Sequence, residues 1–478
     1  MNASDVPQHS PAYRTRRFFN WFPLGLTYAL LYMGRYNLTV SQTALGDLMP
    51  KSDFGAIFGV GAWVYALAFL VNGPLTDKLG GKKAMLIGAL GAALANLGMG
   101  LYLQHVLALP DPKTASLRLV FTLLYGVNMY FQSYGAVAIV KVNAHWFHVR
   151  ERGTFSGIFG IMISTGLWLA FDVNERILRF AQSHGIPGVE ATRWVFFGPA
   201  LLLAAFFLLE LFLLRDTPSQ AGFQDFDTAD ASSGEEDQHQ PPIFEVLKRV
   251  LTHKVILIIA LVEFCTGVMR NGIMHWFKIF AKEHISPCAA TLKDAVAACA
   301  GAPDCVAAAK TAAKTCSGGW GFMNDNWGMV LMVAGIVGGV FAGTVSDKFF
   351  QSRRAPAAGF LYAACFVATL FMIPFLQNGW VLGFIAFLMS ICVIGTHGLL
   401  SGTATMDFGG RKAAGTAVGI IDGFVYLGTG LQSLALGYIT SRDWRFWPVF
   451  LAPFALAGFY LLTRIWHAKP APKGASAH

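Results

Sequence analysis

The sequence predicts an all-α polytopic membrane protein with twelve transmembrane helices in two six-helix halves, and three observations carry that expectation. The 478 residues are 55% hydrophobic and only 13% charged, with 51 glycines and a mean hydropathy of +0.51; soluble domains are roughly one-quarter charged. Twelve apolar stretches start near residues 21, 55, 82, 117, 153, 194, 253, 323, 355, 380, 412 and 446, each close to the ~20 residues that cross a bilayer. The third observation is an internal repeat. Gly73-Pro-Leu-Thr-Asp77-Lys78 after span two returns as Gly343-Thr-Val-Ser-Asp347-Lys348 after span eight, and Gly153-Thr-Phe-Ser-Gly157-Ile158 returns as Gly415-Thr-Ala-Val-Gly419-Ile420. Lipid admits only helices or closed barrels, and the period-two alternation of a barrel is absent.

In chain order, residues 1–17 form a polar tail. It lacks the basic-then-apolar pattern of a cleaved signal and is expected to be retained. Residues 18–215 make the N-terminal half. Residues 216–252 follow as a linker with Asp225, Asp227, Asp230, Glu235, Glu236 and Asp237, polar enough to be read as flexible and cytoplasmic. Residues 253–466 make the C-terminal half, and 467–478 a second cytoplasmic tail. With a cytoplasmic N-terminus, Arg14, Arg16, Arg17, Lys78, Lys82, Lys83, Arg353, Arg354, Arg411 and Lys412 all fall inside, as the positive-inside bias requires. The net charge of +9 is mostly this topological signal, and no folded basic domain supports nucleic-acid binding. No Walker-type phosphate loop occurs. Neither a soluble catalytic domain nor a nucleophile–base constellation points to an enzyme, and no cofactor is implied.

Two arginines, Arg35 in span one and Arg270 in span seven, sit deep inside these stretches. The repeat makes them counterparts. A charged side chain at the bilayer centre costs at least ~2.5 kcal/mol, so it faces a wet cavity, an anion or a protein partner. Guanidinium stays charged, and its planar fork matches the paired oxygens of phosphate or carboxylate. One arginine per half suggests a two-armed anion clamp; the alternative is that each pairs with a neighbouring acid or carbonyl.

Arg35 to Asp77 covers 42 positions but Arg270 to Asp347 covers 77. The excess locates an insertion within residues 282–322, on the non-cytoplasmic side. It carries Cys288, Cys299, Cys305 and Cys316 at separations of 11, 6 and 11. Two short antiparallel helices about Gly301-Ala302-Pro303 would pair Cys288 with Cys316 and Cys299 with Cys305, one of three connectivities open to four cysteines. Such a cap requires an oxidising compartment. A metal site fits less well, because no histidine lies at ligand spacing. Cys265, Cys365 and Cys392 lie inside spans as small buried hydrophobes.

Among other polar groups, Asp422 in span eleven could balance a clamp arginine in the empty state or meet substrate hydroxyls. His275 and His397 are titratable candidates for the same cavity, each with a structural role as the alternative. Glu263 is read as a surface residue or a partner of Lys254. Lys278 is expected to snorkel outward, and Asn128 and Gln132 to join helices.

Gly73 to Lys83 resembles the cytoplasmic loop motif of the major facilitator superfamily. In that reading Asp77 with Lys78, Lys82 and Lys83, and Asp347 with Lys348, Arg353 and Arg354, latch the ends of helices that rock during transport. Arg35-Tyr-Asn-Leu38, Arg270-Asn-Gly-Ile-Met-His-Trp276, Lys282-Glu283, Glu151-Arg-Gly153 and Arg411-Lys-Ala-Ala-Gly-Thr416 resemble the organophosphate:phosphate antiporter family. The matches cover nearly the whole chain except the tails, the acidic linker and the cysteine-bearing loop.

The resemblance implies that Arg35 and Arg270 hold the phosphoryl group of a sugar phosphate, glycerol phosphate or phosphoglycerate exchanged for inorganic phosphate. Tyr28, Tyr32, Tyr65 and Tyr426 match tyrosines lining the family's cavity. Two positions depart: a family histidine of span five falls at Ile163 and a cavity lysine of span two at Phe69, so the preferred substrate stays open. A monomer in a bacterial inner membrane is expected. A membrane receptor for a phosphorylated sugar acting through a partner kinase, and a proton-coupled symporter, are the competing functions.

Overall fold

The computed structural model describes residues 9–226, 228, 248, 252–299, 302–351, 353–404 and 414–468. Most of the acidic linker, Arg411, Lys412 and the end of the C-terminal tail therefore lie outside the described residues. The described chain is mostly helical. The N-terminal half contains α1 (Pro11–Leu45), α2 (Lys51–Leu79), α3 (Gly81–Leu107), α4 (Leu117–Trp146), α5 (Val149–Trp168) and α6 (Trp194–Leu213). The C-terminal half contains α7 (Lys254–Ala298), α8 (Pro303–Phe350), α9 (Arg354–Phe375), α10 (Gly379–His397), α11 (Ala414–Ile439) and α12 (Phe446–Arg464). Among the described residues nine of these are long and apolar enough to cross a membrane by length and composition. The other three are α1, α4 and α5. Two of them, α1 and α4, carry Arg35, Asn37, Asn128 and Gln132, all buried polar side chains that lower their apolar average.

Helix α1 starts earlier than the expected tail boundary. Ser10 caps it by accepting from the backbone N–H of Tyr13, with Pro11 in the first turn, an arrangement that satisfies N–H groups a helix start leaves open. Tyr13 is buried and donates to the carbonyl of Trp146 at 3.2 Å. Arg17 pairs with Glu151 at 3.0 Å, which ties α1 to the start of α5. The linker also begins as ordered chain. Asp216 accepts from the backbone N–H of Lys82 at 2.7 Å, and Phe223 and Phe226 pack edge-on against Tyr13.

The halves meet through two helix pairs, α2 on α11 and α5 on α8. Glycine permits the first approach. A Cβ built on Gly55 would lie 2.3 Å from the carbonyl oxygen of Ser433 and 2.9 Å from Cα of Gly437. In the second pair, α5 runs on through a π-helical turn, Leu169–Val173, into a short helix, Asn174–Ser183. The turn swings Asp172 across the interface. There its carboxylate accepts the backbone N–H groups of Gly328 and Met329 at 2.7 and 2.8 Å, beside the break in α8 at Asn326. One half thus caps a helix of the other.

Charged groups extend this seal. Lys51 pairs with Glu283 at 2.9 Å, and Trp444 donates to the same carboxylate at 2.6 Å. Lys278 does not snorkel outward as its sequence suggested. It is fully buried, lies 3.5 Å from Glu175 and donates to the carbonyl of Asn324. Glu175 and Asp172 follow α5 directly, so the π-helical turn brings both acids under α7 and α8 and supplies the counter-charge a buried ammonium needs.

The cysteine-bearing insertion has the two antiparallel helical arms expected, but the first arm is the end of α7 and not a separate helix. At about 1.5 Å per residue, the 45 residues of α7 reach well past a hydrocarbon core of ~30 Å. Their last turns rise with the first turns of α8 as an antiparallel hairpin, and α8 breaks below it at Gly318, where φ is 45°. Cys288 is joined to Cys316 and Cys299 to Cys305, with Cα separations of 5.9 and 5.5 Å. Peptide mass mapping of unreduced protein is expected to recover these two cross-links. Replacing Cys288 and Cys316 by serine should make the hairpin the first site of limited proteolysis, at a local cost of about 3 kcal/mol; equal protease resistance would show that the staple contributes nothing.

Candidate functional site

Helix periodicity places Tyr28, Tyr32 and Tyr36 one turn apart on α1, with Arg35 beside the last of them. The three rings pack edge to face at centroid distances of 5.4 and 5.5 Å. Arg35 is completely buried. Its Nε donates to Gln132 on α4 at 2.8 Å, Nη1 to the hydroxyl of Tyr426 at 2.7 Å and Nη2 to the hydroxyl of Tyr65 at 3.1 Å. The guanidinium also lies over the rings of Tyr65 and Tyr32 at 4.5 and 4.8 Å. Every one of these partners is neutral. Gln132 is fixed in turn by donating to Asn128, which donates to the carbonyl of Gly34, and Tyr125 donates to the carbonyl of Arg35 itself.

Arg270 occupies the matching position on α7. It lies beside Tyr32, Tyr36 and Tyr426, while its Nε is buried without a partner. The two arginines therefore cross: Arg35 of the first half reaches Tyr426 of the second, and Arg270 of the second reaches Tyr32 of the first. A ligand held by both would tie the halves together. The nearby acids are engaged elsewhere. Glu263 accepts from Nδ1 of His397 at 2.9 Å, and Asp422 accepts from the hydroxyl of Ser401. Among the described residues no carboxylate forms an ion pair with either arginine.

Comparison with known proteins fixes the family. The family model described as Major Facilitator Superfamily matches residues 24–314. The chain belongs to the major facilitator superfamily. Among solved structures, the xylose transporter XylE from E. coli in an inward-open conformation aligns with a TM-score of 0.65 at 13% identity, covering 95% of this chain and 97% of that one. A bacterial homolog of the human lysosomal transporter Spinster aligns with a TM-score of 0.62 at 14% identity, covering 95% of each chain. These likenesses establish the fold.

Curated relatives refine the assignment within the superfamily. A glycerol-3-phosphate transporter of Bacillus subtilis is 24% identical over 97% of this chain and 95% of its own length. A probable hexose phosphate transport protein of Chlamydia pneumoniae is 24% identical over 95% of this chain and 92% of its own. The membrane sensor protein UhpC of Escherichia coli is 24% identical over 93% and 90% respectively. The relatives are those of the organophosphate:phosphate antiporter family, transporters and sensors rather than enzymes.

In this superfamily member, Arg35, Arg270, Tyr32, Tyr65 and Tyr426 lie together at the interface of the halves with Tyr28 packed on Tyr32; the tyrosines are those to which the family resemblance pointed. His275 is placed differently. Its Nδ1 lies 2.7 Å from the hydroxyl of Thr39, and its ring is enclosed by Tyr36, Phe58 and Phe171 at 4.5–5.7 Å, so it belongs to the aromatic seal between α1, α2 and α7. His397 and Asp422 lie near one another within the C-terminal half, His397 also near Arg270, with Glu263 and Ser401 as their bonded partners.

Sequence reasoning missed three contributors. Tyr36 continues the four-residue step from Tyr28 and Tyr32, which could have found it. Gln132 was read as helix glue but holds Nε of Arg35. Glu263 was read as peripheral, yet it lies seven residues before Arg270, two turns along the same face, and is fully buried.

The loop motifs also differ from the local latch expected. Asp347 does pair with Arg354, the first residue of α9, at 2.8 Å. Asp77 pairs instead with Lys141 on α4, at 2.9 Å. Lys82 donates to the carbonyl of Leu211 and Arg353 to that of Phe350, while Lys78, Lys83 and Lys348 are exposed. The basic residues thus brace neighbouring helices and loops more than they neutralise the motif acid.

Proposed function

We propose that the protein is a secondary antiporter that exchanges an organophosphate for inorganic phosphate, with Arg35 and Arg270 as the two arms of a phosphate clamp. One observation carries the reading: two guanidinium groups sit at the interface of the halves with neutral partners and, among the described residues, no carboxylate paired to them. Burying a charge without an opposite charge is costly. A phosphate dianion removes that cost, and Arg35 keeps one N–H on each Nη atom for it. Tyr28, Tyr32, Tyr65 and Tyr426 orient the clamp.

Because the arginines cross between halves, a bound dianion favours the occluded state. The empty site resists occlusion through their mutual repulsion, and such a cycle couples efflux of one anion to influx of another. Residues 18–215 and 253–466 are the rocking bodies, both termini face the cytoplasm, and the disulfide cap lies outside, in keeping with the basic inner loops. A bacterial inner membrane and a monomeric carrier complete the proposal.

The test is counterflow. Proteoliposomes loaded with unlabelled phosphate are expected to accumulate labelled phosphate transiently, and external hexose 6-phosphate or glycerol 3-phosphate should compete. The similarity to a membrane sensor supports a second reading, in which the same clamp reports ligand to a partner. Under it the purified protein would bind organophosphate with no counterflow above that of empty vesicles.

A further inference from the structure

We propose that Glu263, His397, Asp422 and Ser401 form a second subsite beside the clamp, which selects organophosphates whose organic part offers hydroxyl hydrogens and rejects those that carry a carboxylate. The inference rests on the phosphate-clamp reading and adds to it which part of the ligand is read, and by what.

The four side chains come from three helical segments of one half. Glu263 lies on α7 and His397 closes α10. Ser401 sits in the π-helical turn, Gly398–Ala404, that prolongs α10, and Asp422 lies on α11. Turns of this kind displace side chains from the regular helix face and recur at functional sites; here the turn aims Ser401 at Asp422. His397 and Ser401 stand four residues apart along α10 and its extension, which sets the Glu263–His397 and Asp422–Ser401 pairs side by side, and Glu263 shares one face of α7 with Arg270, so the cluster and the clamp are continuous. Seven residues along α7 separate Glu263 from Arg270 by about 10 Å, room for a short polyhydroxylated chain or a sugar ring between the phosphoryl end and the acids.

A structural role leaves part of this arrangement unexplained. Glu263 is fully buried, and while Oε2 is held by His397, Oε1 has no hydrogen-bond partner. An unsatisfied buried carboxylate oxygen is expensive, and evolution fills such positions or uses them. Arg270 is only half-buried although it lies in the middle of a span sequence, and His397 and Asp422 are half-buried beside it, as groups facing a wet passage are. Ionised carboxylates only accept hydrogen bonds, so the complement of this subsite is a set of donors. Ligand hydroxyls meet that requirement. A ligand carboxylate would set acceptor oxygens against the acceptor oxygens of Glu263 and Asp422 and be refused, which is specificity by exclusion as well as by attraction.

The experiment uses full-length protein in proteoliposomes loaded with phosphate, with labelled phosphate outside and hexose 6-phosphate or 3-phosphoglycerate as competitor. For the unaltered protein, half-inhibition is expected at a concentration at least about tenfold lower for the hexose phosphate. In Glu263→Gln and in Asp422→Asn the ratio of the two half-inhibitory concentrations should move at least about tenfold toward the carboxylated competitor. Reading a ratio makes the result independent of how much protein inserts or how fast it turns over. A ratio that stays within about twofold in both variants overturns the subsite, even where the pH dependence or the rate changes. The same ratio is obtained from ligand-induced thermal stabilisation of the purified variants. Absence of phosphate counterflow in the unaltered protein would therefore remove the exchange reading while the binding ratio still decides the subsite.

Discussion

Arg35→Lys and Arg270→Lys are each expected to abolish most phosphate counterflow while leaving the protein in the membrane at normal abundance. Lysine preserves the charge, so long-range attraction of the anion persists. What is lost is geometry. Arg35 contacts Gln132, Tyr426 and Tyr65 through three different nitrogens of one plane, and a single ammonium at the end of a flexible stem cannot hold those partners and a phosphate oxygen together. Charge-assisted hydrogen bonds contribute about 1.5–3 kcal/mol each, so losing two lowers exchange roughly 100-fold or more. Counterflow within about threefold of the unaltered protein in either variant would remove the clamp from the mechanism.

Gly55→Val should stop turnover by a different route, without touching the ligand. The added Cβ would overlap the Ser433 carbonyl oxygen at 2.3 Å. That atom belongs to α11 of the other half and cannot rotate away as a side chain could. The closed contact between α2 and α11 is therefore excluded, and the carrier should be held with this side apart. Phosphate binding to purified protein should persist within a few fold, while counterflow falls by about two orders of magnitude or more, because alternating exposure needs both end states. A variant that both binds and exchanges normally would mean that the two helices do not have to approach this closely during the cycle.

Both variants act on features of different legibility. Arg35 and Arg270 stand out in the sequence because a charge inside an apolar stretch is conspicuous, and the repeat equates their positions. The partner of Asp77 could not be read in the same way. Its loop offers Lys78, Lys82 and Lys83, all close in sequence, but the carboxylate reaches Lys141 two helices later, since helix packing rather than chain proximity sets which cation is near. Lys278 shows the same limit. Sequence alone leaves a lysine near a helix end free to snorkel; only the π-helical turn after α5 delivers Glu175 to it.

Composition, spacing and the internal repeat determined the class of this protein: an all-helical membrane chain of two related halves, an arginine inside the first span of each, and a four-cysteine insertion. These properties are set by local chemistry, because each span must be apolar along its own length and each arginine is charged whatever its neighbours. The tertiary structure decided what the arginines face. It crosses Arg35 to Tyr426 and Arg270 to Tyr32, turns the ring of His275 into an aromatic seal and gathers Glu263, His397 and Asp422 beside Arg270. Those contacts join residues that in places lie nearly 400 positions apart. They depend on how the helices pack across the interface of the halves, a relation that no single stretch of sequence encodes.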